Sequence, residues 1–183
     1  MRFVGPLLAA LDVQRRAWTS LRASEEALPS RCEGWAIGEV IEHSATVTRK
    51  FALFAAGVTD APRSEHLRYD PRDPMAVVLD AHAAARAAWP LVDPSRRCLL
   101  PFGDFSADAA AGINLFDVLA HTWDVTDAVG LELVASDELW TLGLTAAKEA
   151  IGADRDRAHY AEELDIDQRA HHRERFLAYL GRS

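Results

Sequence analysis

The chain has 183 residues, 49% hydrophobic and 26% charged, a balance that supports a buried core and excludes an intrinsically disordered protein. That length predicts one domain covering residues 1–183. Lys+Arg 20 against Asp+Glu 28 leaves a net charge of −8, a surface that repels phosphate backbones and anionic lipid headgroups, so neither nucleic acid nor membrane is expected as a partner. No apolar run approaches the ~18 residues of a membrane span, and the N-terminus enters a helical pattern without a signal-peptide cleavage site, which predicts a cytoplasmic protein. Cys32 and Cys98 are too few for a disulfide framework and lack the paired spacing of a thiolate zinc site. A bound metal would therefore take His and carboxylate ligands.

Apolar residues recur at three- and four-residue spacing in a chain rich in Ala, Leu and Arg, so helices are expected to dominate. A first helix over residues 6–21 puts Leu7, Leu8, Leu11, Trp18 and Leu21 on one stripe, with Pro6 in the first turn, where a missing N–H costs nothing. A second, over residues 37–56, carries Ile41, Ala45, Val47, Phe51 and Phe54 and ends at Gly57. After a polar loop at residues 59–72, Asp73-Pro74 opens a third helix that Pro90 stops. Residues 93–107 break the helical rhythm around Cys98-Leu99-Leu100, which predicts a small strand or hairpin and a crossover connection. A fourth helix is expected over residues 112–129, ended by Gly130, and Ser136 caps a fifth that runs to Ile151. Beyond a solvated acidic stretch at residues 153–167, Phe176, Leu177 and Leu180 mark a last amphipathic segment. Four long helices with substantial connections suggest a four-helix bundle.

The chemistry concentrates on the fourth helix, where Asp117 and His121 stand four apart and Asp124 three further on, all on one face among apolar neighbours. Polar groups at such a boundary cost free energy unless they are paired or bind something. His43, on the second helix between Ile41 and Ala45, borders the core in the same way. One His from one helix and Asp-x-x-x-His from another supply three N/O ligands and leave a position open, the stoichiometry of catalytic zinc. Asp124 then suits a group that accepts an imidazole N–H and fixes its tautomer. A hydrogen-bonded His–Asp pair in the core accounts for the same spacing without a metal. His66, His82, His159, His171 and His172 read as solvated surface, Cys32 as a small residue close to the site, and Trp35, Trp89, Trp123 and Trp140 as core residues, one of which could wall a pocket.

Arg31-Cys32-Glu33-Gly34-Trp35, then Ile37-Gly38-Glu39-Val40-Ile41-Glu42-His43, then Pro101-Phe102-Gly103, then Asp117-Val118-Leu119-Ala120-His121-Thr122-Trp123-Asp124, and finally Phe176-Leu177-Ala178-Tyr179-Leu180-Gly181-Arg182 occur in that order. Together they resemble the metal-binding domain of the mycothiol-dependent maleylpyruvate isomerase family, part of the DinB-like superfamily. The resemblance implies an all-α fold, a DinB-like four-helix bundle with additional short C-terminal helices. It also implies a divalent metal, usually zinc, on His43, Asp117 and His121. The isomerase carries Glu at the position of Asp117 and an additional C-terminal domain, so the short members of the family are the nearer match.

The ligand set and the resemblance lead to a metal-dependent transferase or isomerase that uses a low-molecular-weight thiol such as mycothiol as nucleophile toward an electrophilic substrate, with Asp124 orienting a ligand in the catalytic site. A metal-dependent hydrolase with Asp124 as base is the second reading. A non-catalytic metal- or ligand-binding bundle, its ion closed off by a fourth ligand, is the third. His and carboxylate donors suit Zn2+ and also Ni2+, iron or manganese. Either a monomer or a homodimer fits the sequence, the last segment offering the apolar face for a dimer.

Overall fold

The computed structural model describes residues 1–58, 73–100, 103–152, 155, 160–167 and 169–183. The expected loop at residues 59–72, with His66, lies outside them, as do Pro101, Phe102 and His159. Helices α1 (Val4–Trp18), α2 (Ile37–Ala56), α3 (Pro74–Ala88) and α4 (Ala107–Ala128) form the bundle, followed by α5 (Asp137–Ile151) and α6 (His172–Tyr179). Packing closes a ring: α1 lies on α4, α4 on α2, α2 on α3, and α3 back on α1. The fold is thus all-α, apart from one hairpin.

The local chemistry explains most boundaries. Gly57 ends α2 at φ +99°, a left-handed conformation that only glycine reaches without strain. Ser106 and Ser136 cap α4 and α5, their hydroxyls accepting from Ala109 and Leu139 N–H at 3.2 Å each. The first helix starts earlier and stops earlier than its stripe suggests; Leu21 lies past its end yet still packs on the core. The third gives way to a 3-10 turn at Trp89–Leu91 that absorbs Pro90. Strands β1 (Arg97–Leu100) and β2 (Gly103–Ser106) pair antiparallel, Arg97 opposite Ser106, where a strand or hairpin was expected.

The fourth helix begins five residues before its expected start, because Ser106 rather than Gly112 opens it. With α1 and α2 on its inner sides and α5 over its outer side, α4 buries nearly everything from Ala107 to Thr126. A helix enclosed on several sides has no polar stripe to announce it. Gly112 and Gly143 let α4 and α5 approach closely: a Cβ at Gly143 would stand 2.8 Å from Leu119 Cδ1, and one at Gly112 3.2 Å from Ala146 Cβ.

Inside the ring, each helix contributes one residue to a buried polar network. Gln14 of α1 donates from Nε2 to Ser44 Oγ of α2 at 3.0 Å and to Thr122 Oγ1 of α4 at 3.2 Å. Its Oε1 accepts from His82 Nε2 of α3 at 2.9 Å. His82 was expected at the surface and is instead 4% exposed. Its Ala-rich surroundings leave space for an imidazole to enter the core, where Gln14 satisfies one nitrogen.

Candidate metal centre

Ser44 and Thr122 are the sequence neighbours of His43 and His121, so the polar network sets the level at which α2 and α4 present these two imidazoles to each other. His43 Nε2 lies 3.6 Å from Asp117 Oδ1, and His121 Nε2 lies 3.5 Å from the same oxygen. The two rings meet edge to face, centroids 4.9 Å apart. One ligand atom from each of the three residues lies within 4.8 Å of the other two. Separations of 3.5–3.6 Å are long for hydrogen bonds. They are close to the ~3.4 Å between donors bound at ~2.0–2.2 Å around one tetrahedral ion.

What converges there is one carboxylate and two imidazole nitrogens. His121 Nδ1 is 2.9 Å from Asp124 Oδ2 and donates its proton to that carboxylate, which leaves Nε2 as a lone pair toward Asp117. Asp117 Oδ2 is buried and meets no hydrogen-bond donor. Burial opposes a charge on His43, but the adjacent Asp117 carboxylate outweighs it and raises the pKa. Burial likewise works to raise the Asp117 carboxyl, yet His121, His43 and Arg182 hold it below its ordinary value. A cation between these groups would satisfy all three at once.

Asp124 is fully buried, and its two oxygens accept from Arg182 Nε and Nη2 at 2.8 Å each. Burial pushes its carboxyl up, but the Arg182 and His121 hydrogen bonds prevail and keep it ionised. Its backbone carbonyl accepts from Arg31 N–H at 3.0 Å, tying α4 to the loop at residues 30–36. In that loop Gly34, at φ +80°, turns the chain so that Ser30 N–H reaches Trp35 O at 2.9 Å. The turn brings the Trp35 and His43 rings together edge to face, centroids 5.1 Å apart, and leaves Trp35 39% exposed beside the site. Trp89, Trp123 and Trp140 are core residues, as expected; Trp35, expected there too, is instead exposed, because the turn at Gly34 holds it beside His43.

Cys32, His121 and Asp124 form a second group of candidate ligand atoms within 4.8 Å of one another. It is the weaker of the two, since Arg182 and His121 already engage both Asp124 oxygens. Burial, reinforced by Asp124, pushes the Cys32 thiol up, so it stays protonated and a poor nucleophile. His171 and His172 lie at the surface near α6, where His171 Nδ1 accepts from Arg173 N–H at 3.4 Å and His172 Nδ1 meets Thr141 Oγ1 at 2.8 Å. Arg182 was legible only as part of a terminal motif. The signal that could have singled it out is the need of a core-facing Asp124 for a counter-charge.

Residues 7–126 match the family model described as "Mycothiol maleylpyruvate isomerase N-terminal domain". The chain belongs to this family. The match includes His43, Asp117, His121 and Asp124. Among relatives of this chain are the uncharacterized proteins MT0763 and Rv0738 of Mycobacterium tuberculosis, from strains CDC 1551 / Oshkosh and ATCC 25618 / H37Rv. Each is 26% identical over 184 residues, covering 97% of this chain and 98% of the relative. Two crystal structures share the fold: a histidine-to-alanine mutant of the mycothiol-dependent maleylpyruvate isomerase (TM-score 0.66, 14% identity) and the same enzyme without that mutation (TM-score 0.60, 16% identity). Each likeness covers 88% of this chain and 72% of the other. No helix among the described residues is long and apolar enough to cross a membrane.

Proposed function

We propose that this protein, acting as one domain over residues 1–183, is a metal-dependent enzyme in which a low-molecular-weight thiol of the mycothiol type attacks an electrophilic substrate by transfer or isomerisation. The carrying observation is the convergence of three candidate ligand atoms on one point: His43 Nε2 and His121 Nε2 both face Asp117 Oδ1, at 3.6 and 3.5 Å, while Asp117 Oδ2 has no donor. His43, Asp117 and His121 are the ligands in this reading, and their two imidazoles and one carboxylate suit Zn2+ well. A divalent ion there supplies the positive charge that favours a thiolate over its thiol.

The chain's own groups then do the rest. Asp124 fixes the His121 tautomer so that Nε2 points inward, and Arg182 keeps Asp124 ionised and in place. Trp35 forms an apolar wall at the approach to His43, where it shields the site from bulk water and offers a face to the ligand. The hydrolytic reading is weaker because Asp124, the base it relies on, has both oxygens engaged. The cytoplasm, where low-molecular-weight thiols are kept reduced, is the matching compartment.

The test has two stages. Metal content of tag-free protein is measured by mass spectrometry for wild type, His43→Ala and His121→Ala; near-stoichiometric metal in wild type, lost in both variants, is expected. Cobalt-substituted protein is then titrated with mycothiol, and a new sulfur-to-cobalt absorption band is expected. Metal-free wild type after zinc reconstitution overturns the ligand set, and an unchanged cobalt spectrum with every thiol tried overturns the thiol chemistry.

A further inference from the structure

A second feature lies in the groove between α2 and α3, where a cavity of about 410 Å³ has Ala52, Ala55, Ala84 and Ala88 among its lining residues and two arginines, Arg49 and Arg96, beside them. Alanines make the groove open: any longer side chain at these positions would fill it. Its volume falls in the range of small-molecule sites. The two arginines differ in a way that matters. Arg49 is already paired with Asp80, whereas Arg96 has no carboxylate partner among the described residues, and its Nε is buried without any hydrogen-bond acceptor.

The position of Arg96 is imposed by α2. Gly57 has no side chain, and the guanidinium packs so tightly over it that a Cβ there would lie 2.5 Å from Arg96 Nη1. The negative end of the α2 dipole favours a cation at this place. It does not supply an acceptor to Nε, and a buried donor without a partner is costly. A planar anion is the group that answers a guanidinium, through two parallel N–H···O bonds. The lining beside it is methyl groups, which asks for an apolar body attached to that anion.

We propose that the α2–α3 groove is a binding site for a small amphipathic carboxylate, its head on Arg96 and its hydrocarbon chain along the alanines. This site is separate from the proposed metal ligands, since none of its lining residues is His43, Asp117 or His121. The charge complementarity is local: a cationic end on a protein of net charge −8 selects the anion from a cation of the same shape.

The experiment titrates full-length protein with octanoate below its micellar concentration, by calorimetry and by following the Arg96 Nε–H signal in nitrogen–proton correlation spectra. Octylamine serves as the charge-reversed probe and acetate as the head without a chain. The expected result is saturable one-to-one octanoate binding with a shift of the Arg96 Nε–H signal. Affinity should drop at least about tenfold in both Arg96→Gln and the groove-filling Ala87→Phe, with weaker binding of octylamine and acetate. Ala87 is an exposed lining residue, so its variant keeps the fold when Arg96→Gln does not. No saturable octanoate binding, equal affinity in wild type and both folded variants, or octylamine binding as tightly as octanoate each overturns the proposal.

Discussion

Arg182 grips both oxygens of Asp124 at 2.8 Å while Asp124 accepts the Nδ1–H of His121, so the penultimate residue of the sequence controls the orientation of an imidazole on α4. Removing the guanidinium leaves a fully buried carboxylate with one partner. Arg182→Gln is therefore expected to destabilise the fold by about 3 kcal/mol. The pairing with Asp124→Asn should restore part of that loss in urea denaturation, because the uncompensated charge goes with it. Full additivity of the two would show that the ion pair is energetically idle. Metal affinity should fall about 10–100-fold in Arg182→Gln, the size expected for a partner acting through a ligand.

Asp117→Asn keeps the shape and removes the charge. In wild type, zinc at about 100 times its dissociation constant stabilises the fold by about 2.7 kcal/mol, a rise of roughly 5–10 °C in melting temperature for a chain of this size. The Asn variant should lose most of that rise while its zinc-free melting curve stays cooperative. Calorimetry with and without zinc reads it directly, and an equal rise in both proteins removes Asp117 from the ligand set.

Burial is the largest influence on His82 and, with Arg86 and Arg15 adding to it and Asp12 opposing, lowers its pKa to about 4. In the unfolded chain an imidazole titrates near 6.5. Between those values the unfolded chain holds the proton and the fold does not, so stability is fully present above pH ~6.5 and declines as pH falls toward ~4. The total is roughly 3 kcal/mol. Denaturation midpoints measured from pH 7 to pH 4 should show this decline, and His82→Gln should flatten its slope by about one proton. A variant with the wild-type slope assigns the acid sensitivity to other groups.

Gly143→Ala puts a methyl 2.8 Å from Leu119 Cδ1 and 3.3 Å from Phe176 Cε2. Real carbon atoms do not approach that closely, so either the buried Leu119 side chain must repack or α5 must move off α4. A loss of about 1–3 kcal/mol is expected by urea denaturation. Gly130→Ala is no size control, since its φ of +68° strains any side chain; Gly5, with no heavy atom near its Cβ position, is the proper one.

How far the sequence could be read depended on whether the relevant signal was local. Asp117, His121 and Asp124 share one helical face by spacing alone, and Gly57 closed α2 where it was expected to. The early start of α4 was hidden because the Pro- and Gly-containing stretch at residues 93–107 masked Ser106, which stood ready to cap the helix. The burial of His82 depends on Gln14, 68 positions earlier, and the Arg182–Asp124 pair spans 58 positions. No pattern along the chain marks either pairing, since both exist only once the helices have assembled.

The Gln14 amide also fixes how α2 and α4 lie against one another. It clamps α2 and α4 at Ser44 and Thr122, one position along from each imidazole, by bonds that involve no metal. The helices cannot slide lengthwise past one another without breaking those bonds inside a dry interior. The His43 and His121 imidazoles are thus indexed in advance, like teeth already meshed, so the proposed ion would need almost no ordering of the backbone to close around it.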